Sequence, residues 1–168
     1  MGNIKGNVVN ERSIGDKFYR ARYASLTRRF IATAVDSVII GGASYLLFRV
    51  VRYLLVSLDL YKYIPQGLFS LGVDLLIFAV CGTVVWILYG ALLIGIYAKT
   101  IGQGIMGVKV LTVDDKPLTL RRAFARSITY VVIHLPGALM FVSIANVLCT
   151  ARKQAAHDLI CRTVVVKE

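Results

Sequence analysis

The sequence predicts an all-α integral membrane protein: two transmembrane helices, a third apolar segment interrupted by Pro136-Gly137, and a small cytoplasmic loop-and-strand element. Three observations predict it. Of the 168 residues, 57% are hydrophobic and only 17% charged, and the mean hydropathy is +0.69, which excludes a water-facing domain of ordinary composition. Long stretches with almost no charge alternate with basic ones. Finally, 20 Lys and Arg stand against 9 Asp and Glu, a net charge of +11, and the cations lie between the apolar runs. Lys and Arg resist translocation, so cations placed there set orientation. Nucleic-acid binding would need them gathered on one folded face. No nucleic acid is therefore expected as a partner, whereas the lipid bilayer is.

Residues 1–29 carry Lys5, Arg12, Lys17, Arg20, Arg22, Arg28 and Arg29 against Glu11 and Asp16, and read as a basic cytoplasmic tail. The tail is too long and polar for the head of a cleavable signal peptide. Arg28-Arg29 resembles a twin-arginine export signal, but Asp36 falls inside the would-be apolar region. Residues 30–166 form the membrane domain, with spans at about 30–50, 67–98 and 127–150.

In the first span Asp36 is the only charge from Phe30 to Phe48, and about 19 residues cover roughly 28 Å, close to the hydrocarbon thickness. Arg49, Arg52, Asp59 and Lys62 mark the far-side loop, with Tyr53, Tyr61 and Tyr63 as interfacial aromatics. The second run, Tyr63 to Ala98, holds only Asp74 and is long enough to tilt or to extend past the bilayer. Residues 99–126 return to basic composition and to the cytoplasm. There Val108 to Val113 suggests a strand, Asp114 to Pro117 a turn, and Thr119 the cap of a helix through Arg126.

Ser127 to Ala151 contains no Lys, Arg, Asp or Glu. Two topologies fit it. A straight crossing puts Arg152, Lys153, Arg162 and Lys167 outside, against the charge rule. A broken, re-entrant segment returns them to the cytoplasm, where Thr163 to Lys167 can pair with Val108 to Val113, and this second topology is favoured.

Asp36 is the most informative residue, because an ionisable group within a span costs several kcal/mol unless it is paired or hydrated. Arg29, two turns earlier, shares its face at about 10 Å along the axis, too far for direct contact. Burial against polar groups of the Gly102 to Gly107 loop or of the tail, fixing helix packing, and a role in handling ions or protons are both open to Asp36. Asp74 belongs to the opposite leaflet, with an ion pair to Arg49 or Arg52 expected and snorkelling to the interface also open to it.

His157-Asp158 could titrate near neutrality or bind metal, but the other histidine, His134, sits in the apolar run and supplies no ligand set. Gly102, Gly104 and Gly107 spell G-x-G-x-x-G in reversed context, with a helix before and a strand after, so a tight interfacial turn is expected in place of a nucleotide site. Cys81, Cys149 and Cys161 form no C-x-x-C pair, so neither a disulfide framework nor a zinc site is indicated, and Cys81 and Cys149 read as small apolar residues within spans. No nucleophile, base and orienting group assemble, so no enzyme, no cofactor and no metal are expected.

Three stretches taken in order are similar to the RDD family of small bacterial membrane proteins, named for an arginine and two aspartates. They are Arg28-Arg29 through Ala32 to Asp36; Thr100 through Gly102 and Gly107 to Val110, with Asp114-Asp115 and the Arg122 and Arg126 helix; and Arg152 through Gln154 and His157-Asp158 to Thr163. Arg29, Asp36 and Asp158 match the naming residues. Gln103 stands where the family often has Lys, and Arg162 where Gly is common. The resemblance implies a helical membrane domain in the bacterial cytoplasmic (inner) membrane, with a role in transport and no defined substrate.

The expectation is a small transport-type protein whose polar centre, Asp36 with Arg29 and His157 with Asp158, lies near the cytoplasmic face. Two or three helices enclose little, so a homo-oligomer or a membrane-protein partner is its expected company. The alternative is a non-catalytic accessory or scaffold protein whose basic regions dock a partner or anionic lipid.

Overall fold

The computed structural model describes residues 22–65, 67–134, 138–150 and 152–168. The basic tail through residue 21 and the Pro136-Gly137 interruption lie outside the described residues. The elements run α1 (Leu26–Ser57), a 3-10 turn (Leu60–Tyr63), α2 (Leu68–Tyr97), α3 (Ile101–Ile105), β1 (Val108–Thr112), α4 (Leu120–His134), α5 (Ala138–Cys149), α6 (Ala156–Ile160) and β2 (Thr163–Lys167).

Two of these helices, α1 and α2, are long and apolar enough to cross a membrane. Phe30, Val38 and Leu46 on α1, with Leu68, Leu75 and Leu76 on α2, are exposed apolar side chains of the kind that face lipid. The helix α1 is longer at both ends than the 30–50 span read from hydropathy. Ser25 starts it early by accepting from the Arg28 amide at 3.4 Å, and no Pro or Gly stops it after Phe48. Arg49 and Arg52 therefore extend the helix beyond the apolar core instead of beginning a loop.

Over the expected third, interrupted segment of about 127–150 lie two described helices, α4 and α5, of 15 and 12 residues. At 1.5 Å per residue each reaches only about 18–22 Å, short of a hydrocarbon core of roughly 30 Å. α4 also begins earlier than that span, where Thr119 caps it by accepting from the Arg122 amide at 3.4 Å.

α4 climbs antiparallel to α2 because small residues allow the two backbones to approach. A Cβ on Gly95 would meet Leu120 Cδ1 at 2.7 Å, and one on Gly90 would meet Ser127 Oγ at 2.7 Å. One turn further on, Trp86 stacks on Tyr130 with ring centroids 5.1 Å apart and planes 13° apart. The outer stripe of α4, formed by Leu120, Phe124, Ile128 and Val132 at every fourth position, stays exposed.

β1 and β2 pair antiparallel, Val108 opposite Lys167 through Thr112 opposite Thr163, as the valine-rich runs suggested. β2 is buried on both sides because the chain entering α1 covers its other edge. Tyr23 bridges to Val166, and the Ala24 amide donates to Val165 O at 2.9 Å. Val108, Val110 and Val165 pack with Ile94, Leu118 and Ala123, fixing the sheet to the ends of α2 and α4. The start of α1, the end of α2, the start of α4 and the C-terminal strand thus meet at one end of the molecule. The α1–α2 turn forms the other.

Candidate functional site

At the strand-bearing end two acids organise the helices, and they do so separately. Asp36 is buried in α1. Its Oδ1 accepts from Tyr89 Oη at 2.6 Å and from the Gly102 amide at 2.8 Å, and its Oδ2 accepts from the Thr100 hydroxyl at 2.6 Å. Three neutral donors answer one carboxylate, which is how a charge survives inside a span. Tyr89 comes from α2, and Thr100 and Gly102 from the turn after it, so Asp36 fastens α1 to both.

The turn is shaped for that contact. Thr100 and Gln103 form a reciprocal cap: the Gln103 amide donates to Thr100 Oγ1 at 3.2 Å and the Thr100 amide donates to Gln103 Oε1 at 3.0 Å. Gly102 lies so close to α1 that a Cβ there would stand 2.2 Å from Ala32 O. Gly107, at φ +60°, makes the left-handed exit into β1. Gly104 has ordinary space around it. The G-x-G-x-x-G spacing thus serves backbone approach and turning.

The second acid, Asp158, is fully buried in α6 between two guanidinium groups. Arg29 Nη1 donates to its Oδ2 at 2.7 Å, while Arg126 donates to Oδ1 through Nη2 at 2.7 Å and Nε at 3.2 Å. The Ala155 amide and the Thr163 hydroxyl complete the shell, each at 3.2 Å. Burial pushes this carboxyl up, but the neighbouring His157, Arg126 and Arg29 outweigh it and hold the group well below the usual carboxylate range. Arg126 Nη2 also lies 3.3 Å from His157 Nε2, and Tyr130 meets the His157 ring edge-on at 5.0 Å.

Arg29 and Asp36 therefore share a face of α1 but take different partners, and His157 and Asp158 join the Arg29 cluster. Both clusters open on one cavity of about 490 Å³ between α1, α2, α4 and α5. Its walls include Arg29, Asp36, Trp86, Tyr89, Arg126 and His157. Arg29 uses only Nη1 on Asp158; its Nε and Nη2 are buried without a hydrogen-bond partner.

Asp74 sits at the opposite end of the fold. It accepts from the Tyr61 hydroxyl and lies 3.4 Å from Arg52 Nε, whereas Arg49 turns to the Tyr45 hydroxyl. It takes no part in the cavity. Among the described residues no three metal-ligating side chains converge.

Sequence reasoning did not single out Arg126, Tyr89, Thr100 or Trp86 as site residues. Arg126 had a signal, being the last charge before an apolar run and one turn from Tyr130. Tyr89 and Trp86 became visible only once the fold placed α2 against Asp36 and Tyr130, and Thr100, the start of the second stretch above, gained its contact to Asp36 only there.

The RDD family profile matches residues 23–162, nearly the whole described fold. The chain belongs to the RDD family. It is 31% identical over 147 residues to the "Uncharacterized membrane protein YteJ" of Bacillus subtilis (strain 168), covering 87% of this chain and 82% of that protein. It is 22% identical over 150 residues to the "Uncharacterized protein YxaI" of the same organism, covering 82% and 93%. No solved structure matches it. As a member of a bacterial RDD family, with two helices able to span a bilayer, this is a membrane protein.

Proposed function

We propose that this RDD membrane protein is of transport type and receives a small solute or ion in the chamber between α1, α2, α4 and α5. The observation that carries the reading is the chamber itself. Its volume of about 490 Å³ falls in the usual range of small-ligand sites, and it sets charged, aromatic and apolar walls side by side between membrane helices. Polar groups at that depth are costly and in membrane proteins commonly mark a pathway. Asp36, already answered by three donors, is the structural post of this centre. The Arg29, Arg126 and His157 wall meets the solute. No bond is made or broken in this reading, so the protein is not an enzyme.

The charge rule puts the strand-bearing end, with Arg121, Arg122, Arg152, Arg162 and Lys167, in the cytoplasm of the bacterial cell membrane. The α4–α5 hairpin then enters the bilayer and returns. Two crossings enclose the chamber incompletely, and a second copy or a membrane-protein partner would close it.

The test is solid-supported-membrane electrophysiology on proteoliposomes given jumps of sodium, chloride, phosphate, acetate and amino acids. Thr33 of α1 also lines the chamber, and saturable currents that are lost when Thr33→Phe narrows it support transport. A silent protein that instead copurifies with a stable partner supports the accessory reading. That reading draws on the same exposed Arg121, Arg122, Arg162 and Lys167, each contributing about 1 kcal/mol on anionic lipid.

A further inference from the structure

We infer that the chamber is an oxyanion site: it takes the carboxylate or phosphate group of a small amphiphilic molecule on the unpartnered Nε–Nη2 edge of Arg29. The inference rests on the chamber reading above and adds the chemical class of its occupant.

A guanidinium presents two flat edges that match the paired oxygens of a carboxylate or phosphate. Arg29 spends Nη1 on Asp158 and leaves Nε and Nη2, which lie on the same side of the group, buried without a hydrogen-bond partner. A buried charged donor pair left unanswered is costly, so the site is completed by an acceptor. Among the described residues the protein supplies none. Asp158 is already filled by Arg29, Arg126, Ala155 and Thr163, and Asp36 by Tyr89, Thr100 and Gly102.

Charge points the same way. Arg29 and Arg126 share the single carboxylate of Asp158, leaving one excess positive charge in that cluster, while the Asp36 carboxylate on the same cavity keeps its own charge, hydrogen-bonded by Tyr89, Thr100 and Gly102 about two helical turns from Arg29. The remaining lining suits an apolar or aromatic body, with Ile40, Ile144 and the Trp86–Tyr130 stack among it.

Trp86 is the only tryptophan in the chain and lines the chamber, so it reports occupancy directly. The experiment titrates the full chain, in phosphatidylcholine nanodiscs, with octanoate, octyl phosphate, octanol and octylamine while following Trp86 fluorescence. Octanoate and octyl phosphate should give saturable changes, with octanol and octylamine at least about tenfold weaker for want of the bidentate edge. Arg29→Lys keeps a positive charge for Asp158 but loses that edge, and should weaken both anions about tenfold.

Repeating the titration in nanodiscs containing phosphatidylglycerol separates the sources. Loss of the octanoate response there assigns the site to a lipid headgroup, and an unchanged response assigns it to a free solute. Octanol or octylamine binding as tightly as octanoate, an Arg29→Lys protein that binds octanoate unchanged, or no response to any probe would each overturn the inference. The wild-type comparison among probes stands whether or not the variant folds. Currents driven by cations without octanoate binding would sink this inference alone, whereas octanoate binding without currents would sink transport and leave the site.

Discussion

Arg29 donates to Asp158 across 129 positions of sequence, and that one contact ties the first turn of α1 to the C-terminal α6 helix. Arg126 clasps the same carboxylate from α4, so the two ends of the domain and its middle meet on a single buried acid.

Removing that acid should therefore be severe. Asp158→Ala would leave two buried guanidinium groups without their shared partner, a loss on the order of 3–5 kcal/mol. Thermal unfolding in detergent, followed through Trp86, should show the variant melting well below the wild type. A melting temperature unchanged within a degree would show that the cluster contributes little.

The same acid predicts a pH dependence. Its folded pKa is depressed, so its contribution is fully present above the unfolded carboxylate value near pH 4 and is lost as pH falls from there toward the folded value. The stability gap between wild type and Asp158→Asn should be constant from pH 8 to 5 and narrow below about pH 4. A gap that closes between pH 7 and 5 would assign the effect to another group.

At the other acid, Asp36→Ala would strand the Tyr89 and Thr100 hydroxyls and the Gly102 amide, each at roughly 1–3 kcal/mol. Asp36→Asn should be milder, since Thr100 can turn its hydroxyl to accept. Gly102→Ala should be as harmful as the loss of charge, because its Cβ would stand 2.2 Å from Ala32 O. Folded yields and melting temperatures of the three variants provide the comparison. A benign Gly102→Ala would mean that the turn does not press on α1.

Arg162 occupies a left-handed backbone position at φ +52°, where a side chain costs about 1 kcal/mol or more. Arg162→Gly should raise stability by several tenths of a kcal/mol, because the glycine's greater unfolded-state freedom offsets part of the relief. Chemical denaturation midpoints measure it, and a destabilised variant would show that the Arg162 side chain does more than tolerate its turn.

Much of this fold can be read in the sequence because hydropathy and charge act locally. Asp36 and Asp74 were recognisable as misplaced charges, and Val108 to Val113 with Thr163 to Lys167 as strands fit to pair. The partners of Asp36 lie 53 to 66 positions away, set by how α2 packs, and no local pattern announces them. The two family departures were legible as residues but not as geometry: Gln103 became part of a cap and Arg162 a strained turn only in three dimensions. The interruption of 127–150 was legible as Pro136-Gly137, whereas the close packing of α4 on Gly90 and Gly95 was not, because it depends on where α2 lies.

Because Tyr23 pairs with Val166, the chamber exists only if the chain re-emerges where it entered. Topology reporters fused before Arg22, inserted at Asp59 and fused after Glu168 measure this directly in cells. The first and third should report the cytoplasm and the second the opposite side; a reporter after Glu168 that shares the side of Asp59 would contradict the hairpin and the chamber with it.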